Sequence, residues 1–194
     1  MIALGLLAGL LSAPLGVDTF VPTIAIGFVS VPETLRLRLE GETYDETRTQ
    51  YRPELSLGFE HPLPGDALGP FALDGHLSLG LGATTTSGAY QLPLRESLRA
   101  TFSPASWLAL RLGLGAGLVL DLDVAEHSHG EVFLPASVVV AEWFELSWLP
   151  AWVLPVESRK RAVFGGEQVD FTGPDWRILA FELRFRLTGL GFDP

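Results

Sequence analysis

Cysteine is absent from this 194-residue chain, which removes disulfides, thiolate metal sites and cysteine nucleophiles. Positive charge is scarce: 13 Lys and Arg stand against 23 Asp and Glu, for a formal net charge of −10. A nucleic-acid partner needs a basic face to neutralise phosphates, so that class is set aside. Long hydrophobic runs are missing as well. A helical membrane protein of this length would concentrate its apolar residues in runs of about 20, yet beyond the N-terminus charges or prolines interrupt every apolar stretch. A phosphate-cradling glycine loop is not found either, because Gly113, Gly115 and Gly117 lie in a strand pattern with no helix after it. No cofactor is expected.

What the chain has in quantity is glycine (21), proline (14) and hydrophobic residues (47%) interleaved with polar ones. That much proline does not suit a helix-rich fold. The interleaving has period two, the signature of a strand with two unlike faces. Leu35, Leu37 and Leu39 alternate with Arg36, Arg38 and Glu40. Leu55, Leu57 and Phe59 oppose Glu54, Ser56 and Glu60, and Leu77, Leu79 and Leu81 oppose His76, Ser78 and Gly80, with Asp74 on the same polar face. Leu92, Leu94, Leu98 and Phe102 oppose Gln91, Arg95, Ser97 and Arg99. The longest segment sets Leu108 through Leu122 against Arg111, three glycines and Asp121. Val132–Val140 and Leu146–Val156 read as strands apolar on both faces and broken by Pro135, Pro150 and Pro155. The last segment puts Leu179, Phe181, Leu183 and Phe185 opposite Glu182, Arg184 and Arg186. Helices would scatter both sets around their axes, and alternate glycines would weaken a helix interior.

Alternation alone does not separate a soluble barrel from one in lipid. Three further features favour lipid. Short connections such as Ser103–Ser106 and Ala141–Phe144 alternate with longer polar ones at Gly41–Gln50, Ala83–Ala89, Ala125–Gly130 and Glu157–Asp175, matching short periplasmic turns and long external loops. Aromatic residues gather at strand ends, with Phe59, Phe71, Phe102, Trp107, Trp143 and Phe144 by the short turns. Tyr44, Tyr51, Tyr90, Phe164, Phe171 and Trp176 lie by the long ones, as two interfacial girdles require. Finally, the polar faces mix small residues with charges that can pair across a narrow lumen. Arg36, Arg38, Arg95, Arg99, Arg111, Arg184 and Arg186 face Glu40, Glu54, Glu60, Asp74, Asp121 and Glu182 there, with His76 as a further member. An unpaired charge inside would be costly, so a largely neutralised network is expected.

These features predict an all-β fold: a closed, antiparallel, up-and-down transmembrane barrel of about eight strands. Residues 1–16, with the apolar run Ile2–Leu11 and small residues after it, are expected to be an export signal, and 17–194 a single barrel domain. The stretch Phe20–Val31 is placed as an extension of the first strand through Pro32, and Gly165-Gly166 as a hairpin tip. From Leu35 to Leu187 the chain resembles the small bacterial outer-membrane barrels, the OmpX-, OmpA- and OmpW-like class, in architecture and not in a residue-specific motif. The resemblance implies the bacterial outer membrane as location. It also implies outer-membrane lipid, lipopolysaccharide and the assembly machinery as partners, with the oligomeric state open.

Chemistry is harder to find. His127 and His129 flank Ser128 beside Glu126 and Glu131, a grouping that suggests a divalent metal or a Ser/His/acid hydrolase. Neighbouring side chains in an extended loop point opposite ways, however, and nothing orients a base, so a solvated loop is expected, with no catalytic and no metal-binding residue assigned. Arg159, Lys160 and Arg161 form the one basic run, a contact for lipopolysaccharide phosphates or simply a solvated loop. An eight-stranded barrel is just wide enough for side chains to fill. The expected role is structural, surface-interacting or that of a narrow channel. The alternatives are a lipid-modifying enzyme and a soluble periplasmic binder of apolar ligands.

Overall fold

A computed structural model describes residues 20–39, 42–63, 71–85, 88–123, 128–154, 161–164, 167–172, 176–177 and 179–187; among these, side chains are described outside 31–48, 161–172 and 176. The described residues are almost wholly strand. Five long strands come first: β1 (Val21–Leu39), β2 (Glu42–Pro62), β3 (Phe71–Ala83), β4 (Tyr90–Ala105) and β5 (Leu108–Asp121). Shorter ones follow: β6 (His129–Phe133), β7 (Ala136–Val140), β8 (Phe144–Trp148), β9 (Ala151–Leu154), β10 (Arg161–Phe164), β11 (Glu167–Thr172), β12 (Trp176–Arg177) and β13 (Ala180–Arg186).

The shorter strands are broken staves of the same wall. β6 and β7 both pair with β5, one beyond the other, and the interruption falls at Leu134-Pro135. β8 and β9 are interrupted at Leu149-Pro150; β9 pairs with β6 and β12, and β8 with β7 and β13. Proline has no N–H to give to a ladder, so each break falls at the residue that cannot donate. β13 then pairs with β1 from Val29↔Ala180 to Thr23↔Arg186 and closes the ring. Eight antiparallel staves result, each joined to the next in chain order.

One end of the ring carries the short connections, Ser106-Trp107 between β4 and β5 and Ala141–Trp143 between β7 and β8. The second is tight enough to put Ala141 and Glu142 at φ 53° and 65°, the left-handed region that side chains disfavour. It is held by Ala141 N–H donating to Trp107 O at 2.8 Å and by the Arg186 guanidinium donating to Glu142 O at 2.7 Å.

The first stave differs from the sequence expectation in its working half. The ring is made by Val21–Val29, whereas Leu35–Leu39 lie past the point of closure. There β1 and β2 continue for nine further pairs, Val31↔Gln50 to Leu39↔Glu42, and β11 adds to β1 at Thr34–Leu37 with β10 beyond it. The segment Gly41–Gln50, expected as a loop, is therefore strand from Glu42 onward, and 157–175 contains β10 and β11. The β2 half of this extension is polar at nearly every position, so it carries no apolar alternation and reads as a loop.

The ring is inverted relative to a soluble protein. Outward positions are leucine and aromatic: Leu57 is 63% exposed, Leu112 65% and Trp107 60%. Inward positions are buried and charged. The outward leucines of β5 from Leu110 to Leu120 cover about 33 Å of strand at roughly 3.3 Å per residue. A tilt of about 40° leaves about 25 Å along the barrel axis, the height of a lipid-facing band. Aromatic pairs close the short-turn edge: Phe20 with Phe59, Phe71 with Phe102, and Trp143 with Phe144 and Phe185. At the other edge Phe28 stacks on Tyr51, with Tyr90 and Trp152 exposed nearby along the rim.

Candidate functional site: the charged lumen

Period-two geometry sends alternate side chains of every stave into a lumen that must hold long polar groups. Glycines make the room. A Cβ at Gly113 would strike the Leu98 carbonyl and the Arg99 side chain, and one at Gly115 would enter the ring of Phe133. β5 therefore leaves space opposite the arginines of β4.

Two ionic layers fill the lumen. Towards the long-loop end, Arg95 of β4 bridges Glu54 of β2 at 2.6 Å and Glu131 of β6 at 2.5 Å. Glu54 also takes Arg52 at 2.5 Å, and Glu131 takes Arg177 of β12 at 2.8 Å. The amide oxygen of Gln91 accepts from Arg52, and its NH2 donates to Asp121 at 3.1 Å.

Towards the short-turn end the layer is a hub. Glu60 receives Arg99 at 3.1 Å, Arg111 at 2.9 Å and Arg186 at 2.9 Å. Glu145 receives Arg111 at 2.7 Å and Arg184 at 3.1 Å, with Arg99 at 3.4 Å and the hydroxyls of Ser137 and Ser147 donating at 2.7 and 3.0 Å. Asp74 holds Arg99 at 2.5 Å and accepts from Thr101 at 2.8 Å, and Glu182 holds Arg184 at 2.6 Å. Beside this layer His76 Nε2 lies 3.3 Å from the Thr23 hydroxyl.

Between the layers lies an apolar patch of Val29, Phe133, Leu149, Ala151 and Ala180, all buried. Small inward residues, Ser56, Ser78, Gly80 and Ser97, complete that level on the facing staves. Among the described residues no ion pair joins one layer to the other. The formal charges match: Arg52, Arg95, Arg99, Arg111, Arg177, Arg184 and Arg186 against Glu54, Glu60, Asp74, Asp121, Glu131, Glu145 and Glu182. Arg52 and Arg99 are 0–1% exposed and Glu131, Glu145 and Arg177 1%, so a water-sized sphere scarcely touches them.

The structure brings together Glu54, Glu60, Asp74, His76, Arg95, Arg99, Arg111, Asp121, Glu182, Arg184 and Arg186 from the sequence-predicted set. Arg36 and Arg38 stand on β1 past the closure of the ring, at positions paired with Asp45 and Thr43 of β2, and outside the network above. Glu40, His127, Arg159 and Lys160 lie outside the described residues. His129 opens β6 opposite Val119, and Arg161 opens β10 opposite Asp170. The hydroxyl of Ser128 accepts the Asp121 amide at 3.1 Å. Four network members were not placed in the lumen by the sequence: Arg52, Glu145, Arg177 and Glu131, the last of which was grouped with His127 and His129 in a loop. Parity was the available signal for three of them, since Arg52 shares the face of Glu54, Glu131 that of Phe133, and Glu145 that of Ser147.

At the short-turn mouth a cavity of about 320 Å³ is lined by Thr101, Trp107, Arg111, Val139, Glu142 and Arg186, among others. Among the described residues no three His, Asp or Glu side chains gather as a metal site.

No protein-family model matches the chain, and no curated protein matches it in sequence. Solved structures that match include the attachment invasion locus protein Ail of Yersinia pestis, at 12% identity and a TM-score of 0.32, covering 87% of this chain and 99% of that one. Another is the outer-membrane expressed OmpT of Vibrio cholerae, at 12% identity and a TM-score of 0.33; 85% of this chain is covered, but only about half of that one (51%). Overlaps this loose carry no inference of their own. Closed, antiparallel, ionic within and apolar without, the chain has by its own geometry the architecture of the outer-membrane β-barrel class.

Proposed function

We propose that this outer-membrane barrel does not conduct and acts at the cell surface, through the sheet it raises above the ring. The filled lumen carries the reading. Two neutralised layers with an apolar level between them leave no continuous wet path, and an ion entering would have to displace arginine–carboxylate pairs from one another. The raised part is substantial: β2, β1, β11 and β10 stand side by side beyond the closure of the ring, at the long-loop end that faces outward in this class. Sheet edges there, which have no pairing partner among the described residues, are suited to contact with other molecules. Lipopolysaccharide around the wall and the assembly machinery at insertion are the partners this reading carries.

The test is electrical. The full chain, folded into a planar phosphatidylcholine bilayer, should show no discrete current steps across ±100 mV (roughly physiological magnitudes and above). Reproducible steps from the folded chain would establish the narrow channel instead and overturn the proposal.

A further inference from the structure

The cavity of about 320 Å³ at the short-turn mouth has a mixed lining: Trp107, Ser103, Ser106, Glu142, and the more deeply buried Arg111 and Arg186. Trp107 stands apart from the rest of the short-turn girdle. Phe59, Phe71, Phe102, Trp143 and Phe144 each pack against another ring. Trp107 has no ring partner among the described residues and is 60% exposed. An indole that packs on no other ring, set in a cavity among polar groups, presents a flat apolar face to a ligand.

Glu142 departs from its surroundings in another way. It sits at φ 65°, after Ala141 at 53°, where glycine would carry no strain. The chain has 21 glycines, yet none stands in this turn. A side chain kept in a disfavoured backbone conformation at a cavity points to use of that side chain. The Glu142 carboxylate makes no hydrogen bond or ion pair among the described residues. Its carbonyl accepts from Arg186 Nη1 at 2.7 Å, and Arg186 Nε donates to Glu60 at 2.9 Å, so Nη2 is the donor left over. The Ala141 N–H, donating to Trp107 O at 2.8 Å, fixes the two turns side by side. The cavity offers a flat apolar face, a carboxylate acceptor, a guanidinium donor, and two serine hydroxyls that do both.

We infer that this cavity binds a sugar ring of gluco configuration, presented on the periplasmic side of the membrane. A pyranose with equatorial substituents has C–H groups on two flat faces and hydroxyls around its edge. The faces suit an indole, and the hydroxyls, each a donor and an acceptor, suit a lining that supplies both. A free anion fits the lining poorly. Arg111 and Arg186 are already held by Glu60, and Arg111 also by Glu145, while Glu142 would stand against a second negative charge. The volume lies at the small end of ligand pockets, roughly 300–1,000 Å³, which admits a sugar ring and not a folded segment. The short-turn end faces the periplasm in this class, so the ring belongs to a free sugar or to a glycan strand beneath the membrane. This site lies at the opposite end from the raised sheet and does not depend on that sheet's role.

The test uses the full chain folded in phosphocholine micelles, whose headgroups carry no sugar. The probes are the β-1,4-linked N-acetylglucosamine tetramer and its monomer, followed by saturation-transfer NMR of the sugar protons. Saturable binding is expected below about 10 mM probe. Trp107→Ala and Glu142→Gly should each weaken it at least about tenfold, and Trp152→Ala, at the opposite edge, should leave it unchanged. Heat-modifiable gel mobility verifies that each variant is folded. For Glu142→Gly the urea midpoint of unfolding should hold or rise, because glycine relieves the left-handed turn while the ligand is lost. Tighter binding of the tetramer than of the monomer assigns a glycan strand, and equal binding a free sugar. No saturable binding of either probe, binding indifferent to Trp107→Ala or Glu142→Gly, or displacement of the probe by equimolar inorganic phosphate would each overturn the proposal.

Discussion

Glu145 and Glu96 are the same side chain held at the same protein's wall, one facing in and one facing out. Glu145 is met by three arginines and two serine hydroxyls from β4, β5, β7, β8 and β13. Glu96 is met by leucine and alanine. Neither is in water. The difference shows that in this barrel the charged groups are met by each other inside, and among the described residues Glu96 alone stands on the outward wall between the girdles. An ion in such a lumen is held by desolvated partners that cannot find a substitute if it leaves.

The comparison is broken most severely from inside. Glu145→Leu strands Arg99, Arg111 and Arg184 together with nothing between them but Glu60, Asp74 and Glu182. Loss of about 3–5 kcal/mol is expected, read as a fall in the urea midpoint of unfolding from lipid vesicles. Placing a charge where the wall has none comes next. Leu114→Arg, on the outward face of β5 one outward position from Ala116, should cost about 2–4 kcal/mol by the same measurement; an unchanged midpoint would mean that this face is not in hydrocarbon. The smallest effect sharpens the comparison by running the other way. Glu96→Leu, read in the same way, should raise stability by up to about 1 kcal/mol, whereas a drop of that size would mean that Glu96 has an intramolecular role.

Lipid explains what could be read directly from the residues. Where a stave crosses hydrocarbon with charge behind it, parity holds with Glu96 as the exception, and β2, β3, β4, β5 and β13 are visible as alternating leucine and polar residues. Parity failed to stand out on β6–β9 because apolar residues face the lumen there too: Phe133, Val139, Leu149, Ala151 and Val153 point inward, so both faces look greasy and Glu131 and Glu145 appear stray. Parity is in fact unbroken through both prolines, since 131, 133, 137 and 139 all face in, as do 145, 147, 149, 151 and 153. The far end of β2 was obscured for a different reason, since Glu42–Gln50 is polar at nearly every position and offers no alternation. Pairing partners are a different matter. That Arg95 joins β2 to β6, or that Glu60 gathers arginines from β4, β5 and β13, depends on which staves face each other across a closed ring, and no periodicity within one strand carries that.

The proline interruptions have a mechanical meaning. They do not scatter over the wall but run along one line, from Gly113 to Pro135, from Leu134 to Pro150, from Leu149 to Ala180, and from Leu179 to Ser30. Each step is bridged by one backbone hydrogen bond of 2.7 to 2.9 Å. Along this crease two of the residues have no amide to contribute, and the side chains behind it are the apolar ones, with no ion pair to brace them. The facing side of the ring, β2 to β5, has long strands, with a register shift only near the short turn between β4 and β5 and a gap in the β3–β4 pairing at Pro93, and a lumen face tied by arginines. One side of the ring is thus laced by long ladders and arginines and the other by single hydrogen bonds over apolar side chains, so the crease is where the wall has least to resist bending.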